Sequence, residues 1–453
     1  MAHVPSHGLI LAGLHSSSGK TAVCCLLLAA LQARGADVQP FKVGPDFIDP
    51  GYHSRFGARI SRNLDTWLMG EAGVLQEVRV HGAGRVSLVE GVMGLFDGND
   101  VASDAGSAME LSRLLDWPVV LVVPSAKAGR SLAASLRGFL AEAGPGRIAG
   151  VILNEVSGSS HAEYLREALR PLGVPVLGAL PRLGALRWPE RHLGLQSSTE
   201  GGLPSPEDLA RLAEEHLDLA AIQALLTPAL PLTESPRSVP ARKRIAVARD
   251  AAFHFYYPAN LDFLRARGVE LVEFSPLRDS ALPEGVSGLL LGGGFPEVFA
   301  EELAANGVLR RAVRGALEDG LPCYAECGGL MWLAEELATL DGTRHPMVGA
   351  LPGAVEMTPR LSHFGYCFCL PEGDAPPGRG HEFHYSRWAD ESAQANLWTV
   401  RRKRSGTERR EGFTRWRFQA SYVHLHFPSS PALLEPFLDP DFMNPSDRQP
   451  AAL

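Results

Sequence analysis

Two stretches of this chain carry residue types whose spacing can do chemistry. The first is Gly13-Leu14-His15-Ser16-Ser17-Ser18-Gly19-Lys20-Thr21. Backbone N–H groups of a Gly/Ser-rich loop, together with the amino end of a following helix, surround a polyphosphate. Lys20 then reaches the outer phosphates and the Thr21 hydroxyl holds Mg²⁺. The strict phosphate-loop pattern asks for glycine where this chain has Leu14, and Gly13 stands one residue early. The flanks carry the reading: the apolar run Leu9-Ile10-Leu11 precedes the loop, and an apolar segment of helical length, Ala22 to Leu31, follows it. The expectation is nucleotide binding by Gly13, Ser16, Ser18, Gly19, Lys20 and Thr21.

The second stretch is Pro322-Cys323-Tyr324-Ala325-Glu326-Cys327-Gly328-Gly329-Leu330-Met331-Trp332-Leu333. A cysteine between an apolar strand and a helix, followed at once by two glycines, has the form of a nucleophile elbow. The tight turn exposes the sulfur, and the amino end of the helix favours a thiolate. Cys327 is the candidate nucleophile. It needs an oxyanion site and a base. Gly292-Gly293-Gly294, directly after an apolar run ending at Leu291, offers backbone N–H groups for the first, with Gly293 and Gly294 as candidates. Ala420-Ser421-Tyr422-Val423-His424-Leu425-His426-Phe427 offers two histidines for the second. On a strand, His424 and His426 share a face, so spacing leaves open which of them meets the sulfur.

The elements that must position these residues are legible as an alternation. Apolar runs at Leu9 to Leu11, Val86 to Glu90, Pro118 to Val123, Ala149 to Asn154 and Val174 to Ala179 are separated by helical patterns. This is the signature of a parallel sheet covered on both faces, whose ligands sit at the carboxyl ends of the strands. Four prolines between Thr227 and Val239–Pro240 then break helix and strand alike. A fresh strand at Arg244 to Ala248 starts a second alternation, with a helix from about Ala259 to Arg267, a strand at Gly288 to Leu291, a helix from about Val298 and the Cys327 elbow. The fold class read from this is α/β with two doubly wound domains: residues 1–226, a linker at 227–243, residues 244–435, and a tail at 436–453.

Composition excludes several classes. Of 453 residues, 45% are hydrophobic and 21% charged, which describes a globular chain rather than a disordered one. A formal net charge of −8 speaks against a general nucleic-acid partner. The basic run Arg401-Arg402-Lys403-Arg404 with Arg409-Arg410 lies between Trp398 and Trp416 and reads as the polar tip of a β-hairpin. The six cysteines, at 24, 25, 323, 327, 367 and 369, form no dense disulfide framework or zinc-site spacing. With no secretory-leader pattern and no run of about 18 apolar residues, the expectation is a cytoplasmic protein without a membrane partner.

Gly292-Gly293-Gly294, the Cys327 elbow and the late histidine resemble a class I glutamine amidotransferase domain, which takes ammonia from glutamine through a cysteinyl thioester. Aligned on that family's terminal H-x-E motif, His424 is the catalytic histidine, and His426 stands where the orienting glutamate belongs. The first domain narrows the likeness. The phosphate loop, Phe41-Lys42-Val43-Gly44-Pro45-Asp46-Phe47-Ile48-Asp49-Pro50, Asn63-Leu64-Asp65, Val89-Glu90-Gly91-Val92-Met93-Gly94-Leu95-Phe96-Asp97-Gly98 and Leu186-Arg187-Trp188-Pro189-Glu190-Arg191-His192 resemble, in that order, the cobyrinic acid a,c-diamide synthase family. That family's first domain is related to dethiobiotin synthetase, whose phosphate loop also carries its glycine one residue early. His15 stands where related partitioning ATPases have a second lysine.

The resemblance implies ATP- and glutamine-dependent amidation of the a and c acetate carboxylates of cobyrinate, or of metal-free hydrogenobyrinate, in cobalamin synthesis. The partner is then a small-molecule tetrapyrrole polycarboxylate, and Mg²⁺ accompanies ATP. Thr21, Asp46 and Glu90 are the implied metal ligands, Asp46 and Glu90 also standing where strands of such a sheet end. Lys42, Asp97, Arg187 and Arg191 are the substrate-side candidates, with His192 beside them. Two other readings stand next to this one: amidation of other corrin carboxylates, as by cobyric acid synthase, and a P-loop regulatory ATPase with a degenerate glutaminase module.

Overall fold

The computed structural model describes residues 8–186, 203–226, 240–389 and 395–438. The chain divides into two compact units, Met1–Ser235 and Pro236–Leu453.

In the first unit seven strands, β1 (Gly8–Gly13), β2 (Val38–Val43), β3 (Arg62–Leu64), β4 (Val86–Glu90), β5 (Val119–Pro124), β6 (Ile148–Val156) and β7 (Val176–Pro181), form one sheet in the order β3-β2-β4-β1-β5-β6-β7. Every pairing is parallel. Leu9, Ile10 and Leu11 are all fully buried, as a strand covered on both faces requires. Two apolar layers flank the sheet, one including Ile10, Phe41, Val89 and Leu121, the other Leu9, Leu11, Leu88 and Val120. Helix α1 (Lys20–Ala33) is longer than the apolar segment read from sequence and buries ten of its residues. It packs on helix α2 (Ile48–Phe56) and on the helix Pro206–His216, which is why its apolar residues run around most of its circumference.

The order of this sheet decides where the chemistry goes. Because β4 inserts between β1 and β2, the carboxyl ends of three neighbouring strands, β2, β4 and β1, lie side by side. Lys42 is in register with Glu90, and Glu90 with Leu11. The loop after β1 therefore opens next to the ends of β2 and β4.

The second unit repeats the logic. Strands β8 (Lys243–Ala248), β9 (Phe253–Phe255), β10 (Val269–Phe274), β11 (Gly288–Leu291), β12 (Gly293–Gly294) and β13 (Cys323–Glu326) come first in the chain. The main sheet has the order β10, β8, β11, β13, then strands Phe418–Ser421 and Phe413–Arg415. All pairs are parallel except the last. Its core gathers Leu289, Leu291, Val313, Trp332 and Phe418. A second, five-stranded sheet contains strands His363–Pro371 and Gly378–His384 and ends in the two-residue strand His424–Leu425. The basic run behaves as the expected hairpin, since Trp398–Arg402 pairs antiparallel with Glu408–Glu411. Its cations have local partners: Arg401 lies over the Phe368 ring, Arg410 pairs with Glu372, and Arg409 with Glu382 and Glu411. Phe437, which the sequence reading put in the tail, is buried against Tyr324, in a short helix at Glu435–Leu438. Among the described residues no helix is long and apolar enough to cross a membrane.

Candidate active sites

The phosphate loop bends sharply into α1. Gly19 caps the helix with φ +86°, a left-handed conformation that side chains resist, and a Cβ there would run into the Asn154 amide. Asn154 itself, at the end of β6, donates to the Ser18 carbonyl at 3.0 Å. The Ser18 hydroxyl donates to the His15 carbonyl at 2.7 Å, closing the loop on itself. The Lys20 amine donates to the Met93 carbonyl at 2.6 Å and lies 3.5 Å from that of His15. Burial and the neighbouring Lys42 hold its pKa below the usual lysine range. A buried cation hydrogen-bonded to carbonyls rather than to a carboxylate suits an anionic ligand such as a nucleotide phosphate.

Beside the loop stands a knot of charge. Thr21 Oγ1 stands 2.8 Å from Glu90 Oε1 and 3.2 Å from Asp49 Oδ1, its one proton going to the nearer carboxylate. Lys42 Nζ lies 2.6 Å from Asp49 Oδ2, 3.0 Å from Glu90 Oε1 and 3.9 Å from Asp46 Oδ2, and it also donates to the Gly91 carbonyl at 3.1 Å. Burial would lower the pKa of Lys42, but Asp49, Glu90 and Asp46 more than offset this and raise it. Burial would likewise raise Asp49, yet the adjoining Lys42 holds it below the ordinary aspartate value. Asp46 goes the other way, raised by desolvation and by the Asp49 carboxylate. Behind Glu90 is His53, fully buried, with Nε2 2.6 Å from Glu90 Oε2 and Nδ1 3.1 Å from Ser61 Oγ. A hydroxyl and two carboxylates converging on one point are hard oxygen donors of the kind Mg²⁺ takes.

Of the metal candidates read from sequence, Thr21 and Glu90 come together, and Asp49 joins them. Asp46 Oδ1 accepts from the Ile48 and Asp49 N–H groups at 2.7 and 3.3 Å, capping the start of α2, while its Oδ2 stands 3.9 Å from Lys42. Asp49 and His53 are one helical turn apart on α2 and so face the same way. That spacing was the available signal for both. Asp97 Oδ2 accepts from the Gly94 N–H at 2.8 Å, inside its own turn. Lys42 sits with its side chain 3% exposed, among carboxylates. Arg187, Arg191 and His192 lie outside the described residues.

The second site is built at the carboxyl ends of β11, β13 and strand Phe418–Ser421, which are neighbours in register: Leu291 pairs with Ala325, and Ala325 with Ala420. Cys327 has φ +47° and ψ −104°, a conformation rare for a side-chain-bearing residue and of the kind stored at functional sites. Its N–H donates to the Ser421 carbonyl at 2.8 Å, and helix Gly328–Leu333 starts directly after it. The glycine run lies against the elbow. A Cβ on Gly328 would stand 3.0 Å from the Gly294 nitrogen, and one on Gly293 would stand 2.6 Å from His424 Cε1. The Gly292 N–H is already bonded to the Tyr256 hydroxyl at 2.8 Å, leaving Gly293 and Gly294 as the members nearest the elbow.

The structure separates the two histidines. The chain leaves the main sheet at Ser421 and rejoins a different one at His424, in register with His381. The His424 imidazole faces Glu326, and Cys327 stands close enough to act on its charge. Burial would lower its pKa, but these two partners outweigh burial and raise it to about 10. His426 begins a 3₁₀ turn, and its Nδ1 lies 3.0 Å from Ser429 Oγ. Glu326 was not singled out in the sequence, although it adjoins the nucleophile; its Oε2 is 3.4 Å from His424 Nδ1. A buried thiol and a buried imidazole beside one glycine run, with backbone N–H groups alongside, form an arrangement for attack on an amide or ester carbon.

Comparison with known proteins covers both units. Residues 9–195 match the model of the CobQ/CobB/MinD/ParA nucleotide binding domain, and residues 244–432 match that of the CobB/CobQ-like glutamine amidotransferase domain. The chain is 42% identical over 447 residues to a cobyrinate a,c-diamide synthase of Synechococcus sp., covering 95% of this chain and 97% of that protein. To the cobyrinate a,c-diamide synthase of Syntrophotalea carbinolica it is 43% identical over 449 residues, covering 95% and 98%. A hydrogenobyrinate a,c-diamide synthase of Streptomyces coelicolor is 39% identical over 481 residues, covering 95% and 96%.

Proposed function

The chain belongs to the cobyrinate a,c-diamide synthase family, and on that footing we propose that it amidates the a and c acetate carboxylates of a corrin ring with ATP and glutamine. It is a glutamine-dependent amide-forming ligase of cobalamin biosynthesis, acting on a tetrapyrrole substrate in the cytoplasm. The observation that carries the reading is the presence in one chain of two sites with complementary chemistry: Thr21 close to Glu90 and Asp49 beside a phosphate loop, and the Cys327 elbow packed against the glycine run that His424 also approaches.

A carboxylate is inert to ammonia at neutral pH because its oxygen is a poor leaving group. The substrate carboxylate oxygen attacks the γ-phosphorus of ATP, the bond to the β-bridging oxygen breaks, and ADP departs with that electron pair. Ammonia then adds to the acyl phosphate carbon, inorganic phosphate leaves, and the nitrogen loses a proton to give the amide. Positioning and charge neutralisation dominate phosphoryl transfer. Gly13, Ser16, Ser18 and Gly19 line the phosphate loop and Lys20 faces the outer phosphates. Thr21, Glu90 and Asp49 would hold Mg²⁺, which supplies positive charge to the phosphates. Asp46 fixes the start of α2 and so the placement of Asp49. Lys42 keeps the three carboxylates together at the substrate side, and Asp97 shapes the turn after β4; Arg187 and Arg191 are assigned to substrate carboxylates.

In the second unit the Cys327 sulfur attacks the glutamine carboxamide carbon. Gly293 and Gly294 N–H groups face the developing oxyanion, His424 delivers a proton to the departing nitrogen, and ammonia leaves. Water then cleaves the thioester to glutamate.

The test is amidation by the purified protein with ATP, Mg²⁺ and glutamine on cobalt-containing and metal-free rings, read by mass as two successive exchanges of OH for NH₂. Cys327→Ser is expected to stop the glutamine-driven reaction and not the one driven by ammonium salt, whereas Lys20→Ala stops both. Glutamine-driven amidation surviving Cys327→Ser would overturn the nucleophile, and absence of amidation on either ring would overturn the substrate.

A further inference from the structure

A thiol–imidazole pair works best when a third group fixes the imidazole's other nitrogen. Two residues after His424 the chain has His426, whose Nδ1 is at Ser429 and whose ring packs edge-on to Tyr257 with centroids 6.4 Å apart. The group at Nδ1 of His424 is instead Glu326, with Oε2 3.4 Å away. Its carboxylate is itself fixed. Oε1 accepts from the Leu425 N–H at 2.9 Å and from the Tyr324 hydroxyl at 3.1 Å, and Glu326 is 5% exposed. Sulfur and carboxylate thus come from adjacent residues. The reversed backbone at Cys327, with φ +47°, lets both meet one imidazole, because along an undistorted strand neighbouring side chains point to opposite faces.

We propose that Glu326 is the positioning residue of His424, supplying from the residue before the nucleophile what a carboxylate two residues after the histidine would otherwise supply. The proposal rests on the reading of Cys327 as nucleophile. Glu326 Oε2 accepts from Nδ1–H, which fixes the tautomer and leaves Nε2 free to take the Cys327 S–H proton. The sulfur keeps the electron pair of that bond, Nε2 gains the proton, and the carboxylate stays ionised and stabilises the imidazolium. The proton later passes from Nε2 to the nitrogen of the departing ammonia.

A purely structural Glu326 would serve to pin Leu425 and Tyr324, and the substitution Glu326→Gln separates the two roles. The glutamine amide oxygen still accepts from Leu425 and Tyr324, but an NH₂ group faces Nδ1 and favours the wrong tautomer. The readout is glutaminase kcat and KM for glutamine on the full chain. Glu326→Gln is expected to lower kcat on the order of 100-fold with KM within threefold. A fall of less than tenfold overturns the proposal. Glu326→Asp restores the charge on a shorter arm and is expected to be at least threefold faster than Glu326→Gln; equal rates would overturn a role for the charge. If Glu326→Gln does not fold, Tyr324→Phe takes its place: it removes one of the two hydrogen bonds that fix Oε1 and leaves the one from Leu425, and kcat is expected to fall threefold or more at constant KM, an unchanged kcat overturning the proposal. Glutamine hydrolysis by Cys327→Ser would remove the premise itself. An inactive Cys327→Ser beside an unimpaired Glu326→Gln would refute the positioning role alone.

Discussion

Replacing Gly293 by alanine perturbs the glutaminase site through a single atom. Gly293 pairs with Phe255 in a short antiparallel ladder, and its backbone φ is not left-handed, so alanine meets no conformational objection there. The obstacle is spatial. A Cβ would stand 2.6 Å from Cε1 and 3.4 Å from Nε2 of His424, and 3.3 Å from the Phe255 Cβ. Ordinary contact begins at 3.4 Å, so the imidazole edge must withdraw by about 0.8 Å. It is the side that gives, because the Phe255 Cβ is fixed to a paired strand while the ring swings on its own torsions. Overpacking of this kind costs about 1–3 kcal/mol of stability. Its effect on rate is larger: a catalytic group displaced by about 1 Å loses on the order of 100-fold. Gly293→Ala is therefore expected to lower glutaminase kcat by that order while ammonium-driven amidation continues and the melting temperature falls by a few degrees. The assay is steady-state glutamate release beside ammonium-driven amidation on one preparation. Wild-type glutamate release, or a parallel collapse of both reactions, would refute the argument that the methyl acts locally on His424.

Two further outcomes concern charge. Lys42→Met removes the cation between Asp49 and Glu90 and is expected to destabilise the fold by about 3–5 kcal/mol near pH 7.5, since it leaves buried carboxylates without their partner. Lys42 holds the Asp49 pKa below its unfolded value, so that contribution is present above the ordinary aspartate range and fades as pH falls through the lowered native one; the gap in melting temperature between the two proteins should hold from neutral pH to about pH 5 and narrow only below about pH 4, and a gap unchanged down to about pH 2 would refute the linkage. Burial pushes Glu297 up to about 7 from 4.5. A raised carboxyl contributes stability below its unfolded pKa that is lost as pH rises through the folded one, so Glu297→Gln should melt with the wild type near pH 4.5 and above it at pH 8, by about 1–3 kcal/mol; thermal melts across that range decide it, and an offset independent of pH would refute the assignment.

The sequence carried the parts of each site that are contiguous. Gly19-Lys20-Thr21 and the Cys327 elbow are local structures, a loop or strand turning into a helix, and short-range sterics impose them whatever surrounds the chain. The alternation of apolar runs gave the parallel sheets, and a parallel sheet sends its ligands to the carboxyl ends of its strands, so Glu90 was also within reach. What spacing could not decide were choices between neighbours. Asp46 and Asp49 are both acidic residues of one motif, and only the start of α2 at Ile48 turned the first into its cap and aimed the second at Thr21. His424 and His426 would share a face on a regular strand, but the strand ends after Leu425.

From its sequence alone this protein's family, its α/β class, its phosphate loop and the elbow at Cys327 are legible, because each depends on order along the chain or on residues a few positions apart. The charge knot of Lys42, Asp49, His53 and Glu90, and the meeting of the His424 imidazole with Glu326, 98 residues earlier by number, were decided only by the tertiary structure. Sheet order brings those segments to one edge, and no local propensity encodes which distant strand end becomes a neighbour.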